Sequence, residues 1–262
     1  MWPKRRGAPS AELAELASTP TWMYEWDLGR GVRTVAMGPE LQSIHVARAT
    51  IMEPAVRRAL AAAGPEATVV DLACSEGWFA HRLLEWGAGR VLGVDIRPEN
   101  IHRAELLRDH LRVDPDRLSF RIGDVYDLEG LGVFDVVLCL GLIYHLENPI
   151  GALRVSRTLT RGVCVVESQL VEPHGPLRHT WGTSGEYVEQ EAAWAAWYEP
   201  AEAQEGSPIA SHGGVVSLIP NRAAMLGGVS AAGFSRVDEL PVPGGVNAQY
   251  VEGHRLVLAA WP

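Results

Sequence analysis

Apolar positions along the chain switch repeatedly between two spacings. Residues 67–73, ATVVDLA, form a short β-branched run that ends beside an acid and predicts a strand. Residues 78–88 put Phe79, Leu83 and Trp86 on one helical face and stop at Gly87. RVLGVDI (90–96) predicts the next strand, and the stretch from Pro98 to Arg112 predicts an amphipathic helix opened by its proline. Strands follow at 118–125, 134–146 and 162–170, with a helix from Pro149 between the last two. A helix over 220–234 and strands at 235–242 and 254–261 close the pattern. Strands alternating with helices predict an α/β fold, a doubly wound, mostly parallel sheet of seven strands covered on both faces.

Two segments fall outside this alternation. The first is 1–65, which holds TWMYEW at 21–26 ahead of a Gly-containing turn; it predicts an N-terminal lip. The second is 171–213, too long for an ordinary connection, which predicts a cap inserted into a domain running over 66–262. Both are placed over the open end of the sheet. Their rings include Trp22, Tyr24, Trp26, Trp181, Tyr187, Trp194, Trp197 and Tyr198. Such a lid suits a flat apolar ligand through stacking and cation–π attraction, although most such rings in proteins simply pack. Exposed aromatics near the N-terminus also offer a surface for pairing two copies.

Composition changes the picture at three points. The net charge of −9 and the absence of a basic run disfavour a nucleic-acid partner. Cys74, Cys139 and Cys164 lie in or beside apolar runs without metal-ligand spacing, so they read as reduced thiols of a cytoplasmic protein with no metal site. The N-terminus lacks the apolar stretch of a secretory signal, and no run approaches the ~20 apolar residues of a membrane span.

The chemistry concentrates at strand ends. In VVDLACSEGWFA (69–80) a strand delivers Asp71, a turn holds the small residues Ala73 and Ser75, and Gly77 opens a helix. Asp95 ends the next strand, where an acid can accept ribose hydroxyls, and Asp124 follows the third. Asp71 with Glu76 beside it would repel a pyrophosphate, which disfavours a dinucleotide cofactor.

This combination resembles the class I S-adenosylmethionine-dependent methyltransferases over roughly 66–262. Their glycine-rich motif usually reads acid-x-Gly-x-Gly-x-Gly; here it reads DLACSEG, with Ala73 and Ser75 at two glycine positions. The resemblance implies S-adenosylmethionine as cofactor, with Asp71, Ala73 and Gly77 along its methionine part and Asp95 on the ribose. Ile96, Asp124 and Val125 would surround the adenine, and Leu140 would lie beneath the sulfonium.

GLIYHLENP (141–149) resembles the matching stretch of small-molecule and tRNA-wobble-uridine members, and makes Tyr144 a substrate contact. His145 serves there as a base or substrate contact, or merely fixes the turn. The Tyr24-Glu25 pair resembles bacterial indole C3-methyltransferases of natural-product pathways, whose products close to pyrroloindolines. That resemblance implies C-methylation of a tryptophan-derived cyclic dipeptide or similar indole, with Trp22, Trp181 and Tyr187 as further substrate contacts. Glu25 or Tyr24 would accept the indole N–H as positive charge develops on the ring. In a regular strand Trp22, Tyr24 and Trp26 share one face and Glu25 takes the other, so both members of the pair reach one ligand only if the chain bends. O- or N-methylation of another small aromatic metabolite, and tRNA modification, are the alternatives.

Overall fold

The computed structural model describes residues 7–172, 177–180, 187–200, 202, 211 and 216–262. Its centre is a seven-stranded sheet in the order β12-β13-β7-β6-β3-β4-β5. The strands are β3 (Thr68–Leu72), β4 (Arg90–Asp95), β5 (Leu118–Ile122), β6 (Phe134–Leu140), β7 (Thr160–Gln169), β12 (Arg236–Glu239) and β13 (Arg255–Trp261). β3 to β7 run parallel, while β13 and β12 add antiparallel at one edge. This is the mostly parallel α/β sheet expected from the sequence.

Helices α3 (Trp78–Trp86), α4 (Pro98–His110), α5 (Pro149–Leu159) and α6 (Arg222–Ala231) fill the expected positions. Phe79, Leu83 and Trp86 are buried on α3, as their spacing requires. Two local expectations are corrected. The apolar run at 134–146 is a strand only to Leu140; Gly141 takes φ +65° and residues 143–145 form a 3-10 turn. The Gly-rich link before β13 contains a short helix, α7 (Ala248–Val251), capped by the Asn247 side chain.

The N-terminal segment supplies α1 (Ala11–Ala17), a small hairpin of β1 (Asp27–Gly29) and β2 (Val32–Arg33), and the 25-residue helix α2 (Pro39–Ala63). α2 buries Ile44, Ala47, Ile51, Met52, Val56 and Leu60 at helical spacing, in the same core as β3, β6, β7 and β13. TWMYEW is not a strand. Trp22 bridges to Ala36 and the chain then bends. Within 171–213, β8 (Leu177–Thr180) pairs with β9 (Tyr187–Gln190), while β10 (Trp194–Tyr198) pairs with β11 (Val216–Pro220) just beyond the segment. Among the described residues no helix is long and apolar enough to cross a membrane.

Candidate active site

Parallel strands leave a crevice beyond their carboxyl ends, and here it holds a cavity of about 320 Å³. One end is built by the turns after β3, β4 and β5. Ala73 and Ser75 hold φ +57° and +50°, left-handed values that favour glycine, and their short side chains leave the backbone open to the cavity. The Ser75 N–H donates to Asp95 Oδ2 at 2.8 Å; Arg97 N–H and Asn100 Nδ2 donate to Oδ1. Asp95 is therefore fixed before any ligand arrives. Asp124 accepts the Tyr126 N–H on Oδ1, while Ile96, Val125 and Leu128 give apolar walls and Leu140 lines the cavity farther along. Carboxylates beside apolar walls and a close-approach turn suit a hydroxyl-bearing ligand with a flat base.

Asp71 and Gly77 sit behind this surface. Asp71 is buried and outside the cavity lining, and burial, then Asp95, pushes its carboxyl up to about 8. Gly77 holds φ +78°, and a Cβ there would lie 2.6 Å from the Phe120 ring. Glu76, fully buried, accepts the Met23 N–H at 2.9 Å and the Ser75 hydroxyl at 3.0 Å, tying the N-terminal lip to the turn. Burial raises its carboxyl to about 6.

The other end is built by the lip, α2, the 141–146 turn and the β7–β13 pair. Tyr24 lines it, stacked on Trp78 at 5.4 Å and tilted against His45 at 4.4 Å between ring centroids. Burial raises the Tyr24 phenol well above its ordinary range. Tyr144 and His145 line it too, and burial lowers His145 to about 4, so its imidazole is neutral at pH 7. Glu25 is corrected by the geometry: between the inward Tyr24 and Trp26 its side chain turns outward, half-exposed, to Arg33 at 2.6 Å. Trp22 is fully buried away from the cavity, its indole N–H donating to the Leu16 carbonyl. Trp181 lies outside the described residues, as does the side chain of Tyr187.

Among the lining residues that the sequence reading did not assign to the site are His45, Arg48 and Arg255. His45 and Arg48 were detectable as polar positions three apart within the apolar stripe of α2. Burial, then Arg48 and Arg255, lowers His45 to about 2. Arg48 Nη2 lies 2.9 Å from Glu167 Oε2, and Arg255 Nη1 lies 3.1 Å from Glu167 Oε1. Tyr250 donates to the same carboxylate at 2.8 Å. Against the burial that would raise it, the two arginines hold the Glu167 carboxyl below its ordinary range.

The sequence profile described as a methyltransferase domain matches residues 64–205, more than half of the chain. The chain belongs to that family. It carries a methyltransferase domain. Relatives of this chain include the tRNA U34 carboxymethyltransferase of Campylobacter lari, 27% identical over 107 residues. That match spans 40% of this chain and 36% of that protein, so it reaches about a third of the relative's length. The bifunctional O-antigen chain terminator methyltransferase/kinase WbdD of Escherichia coli is 30% identical over 130 residues, 47% of this chain and 18% of that one. Among solved structures, the N-terminal domain of EvdMO1, crystallised with SAH and D-fucose, superposes with a TM-score of 0.65 at 21% identity. That likeness covers 95% of this chain and 94% of EvdMO1's domain, and at such identity it speaks for the fold.

Proposed function

We propose that this methyltransferase methylates a small aromatic molecule, and that the acceptor is an indole attacked at carbon 3. The observation that carries the reading is the cavity wall of Tyr24 and His45, with Trp78 stacked on Tyr24 outside the lining, in a cavity that also receives Tyr144 and His145.

On this reading the donor lies along the β3–β4–β5 end. Ala73 and Ser75 take its methionine part, with Asp71 and Gly77 shaping the turn from behind. Asp95 holds the ribose hydroxyls, while Ile96, Asp124 and Val125 hold the adenine. Leu140 backs the reacting centre. When bound, S-adenosylmethionine supplies an electrophilic methyl group on a sulfonium. The enzyme's own contribution is alignment and exclusion of water.

Attack by C3 places positive charge on the indole, concentrated at its N–H and C2. The Tyr24 phenol, kept un-ionised by burial, offers its oxygen to the N–H and disperses that charge. Ring closure by a substrate nitrogen onto C2 releases one proton, and the neutral His145 imidazole at the cavity wall receives it. Glu25 has no part in this scheme, because its carboxylate engages Arg33 on the outside.

The test is a panel of tryptophan cyclic dipeptides, simple indoles, phenols and tRNA, incubated with S-adenosylmethionine and read by mass spectrometry and NMR. An indole product carrying the methyl on C3 is expected. Methylation confined to oxygen, nitrogen or tRNA would overturn the indole reading and leave the donor end untouched. The similarity to tRNA U34 carboxymethyltransferases keeps tRNA in the panel, although a net charge of −9 opposes a phosphate backbone.

A further inference from the structure

Two guanidinium groups line the cavity and share one carboxylate. Among the described residues Glu167 is the carboxylate that pairs with both Arg48 and Arg255. Asp71 also feels Arg48, but a carboxyl pushed up to about 8 carries little charge at neutral pH. His45, Tyr24 and Tyr250 are uncharged there. One carboxylate therefore answers two paired guanidinium charges.

The space in front of it is shaped. Gly141, at φ +65°, leaves open the point where a Cβ would stand, 3.3 Å from both terminal nitrogens of Arg48 and 3.5 Å from the Tyr144 hydroxyl. Arg255 stands over the Tyr144 ring, its guanidinium carbon 5.6 Å from the centroid. Two charged forks and a hydroxyl around a side-chain-free pocket suit a carboxylate.

Sheet order decides which ligand brings it. Asp95 ends β4, whereas Arg255 opens β13, four places away in the sheet and roughly 19 Å at ~4.8 Å per strand. Arg255 thus stands at the end remote from the ribose-binding acid, with Arg48 between, against Gly141 after β6. We propose that the niche formed by Arg48, Arg255, Tyr144 and Gly141 binds a carboxylate of the methyl acceptor. Given the indole reading above, on which this narrowing rests, the acceptor is an indole-bearing acid rather than a neutral cyclic dipeptide. The chemistry gains as well. Two guanidinium groups sharing one carboxylate oppose positive charge growing on the ring, and a second carboxylate seated on them weakens that opposition.

Calorimetry with S-adenosylhomocysteine present tests this on the full chain with two acid–ester pairs: indole-3-propionate and 3-phenylpropionate, each against its methyl ester. Each acid is expected to bind about tenfold or more tighter than its ester. Arg255→Gln and Gly141→Ala should bring the ratio to about one, while Arg255→Lys keeps part of it. S-adenosylhomocysteine affinity, measured alone, should move less than about threefold in these variants. Equal binding of acid and ester by the parent protein would overturn the proposal. So would a loss of S-adenosylhomocysteine affinity of about tenfold, which would assign the niche to the cofactor's own carboxylate. The phenyl pair separates the two readings. Acid preference there, with no indole methylated in the panel, keeps the niche and sinks the indole. Indole methylation with acid and ester bound alike does the reverse.

Discussion

Tyr24 and Glu25 are neighbours in sequence with opposite surroundings. One is buried at the cavity, and the other is half-exposed against Arg33. Exposed pairs contribute little, so Glu25→Gln should leave stability within ~0.5 kcal/mol and turnover within about threefold. Tyr24→Phe should lower turnover about 100-fold with the fold intact, which steady-state rates and circular dichroism would check. Asp71 offers a second test. Its carboxyl rises from the ordinary 3.8 to about 8 in the fold, so the folded chain keeps this proton where the unfolded chain has lost it. The contribution of Asp71 to stability then falls between about pH 4 and pH 8 and is level above. Urea midpoints for Asp71→Asn should gain on those of the parent protein across that window, and a constant difference would contradict the assignment. The acids were legible because strand ends announce them. The outward turn of Glu25 was legible too, as the odd position between the buried Trp22, Tyr24 and Trp26, and it holds although residues 23–24 bend; only the resemblance placed Glu25 in the site.

At the scale of elements, the turn between β3 and α3 is the most constrained. Ala73 holds a left-handed φ of +57°, where a Cβ is unfavourable. Ala73→Gly should therefore stabilise the fold by about 1 kcal/mol, while Gly77→Ala, with Phe120 in the way, should cost roughly 2–3 kcal/mol. Chemical denaturation of the two variants would show opposite signs. Strand and helix positions were readable from apolar spacing, and errors fell where spacing stops informing. The run to Leu146 stays apolar after the strand has ended, and α7 is too short to show a period. Helix α2 was read as part of a lip, yet its apolar stripe packs into the core of the sheet.

At the scale of the whole molecule, the Arg48–Glu167–Arg255 cluster joins α2, β7 and β13 through charges with almost no contact with water. Glu167→Ala leaves both guanidinium groups facing each other, and should destabilise the fold by about 3–5 kcal/mol. A thermal melt that hardly moved would show the cluster to be dispensable. A formal charge of −9 gave no hint of this, because net charge averages over a surface and these groups are interior. The cavity between Asp95 and Arg255 thus has a negative pole and a positive pole. Any guest whose own charges are separated will find one head-to-tail direction favourable and the reverse repulsive. The polarity of the cavity sorts orientation before any side chain has to recognise shape.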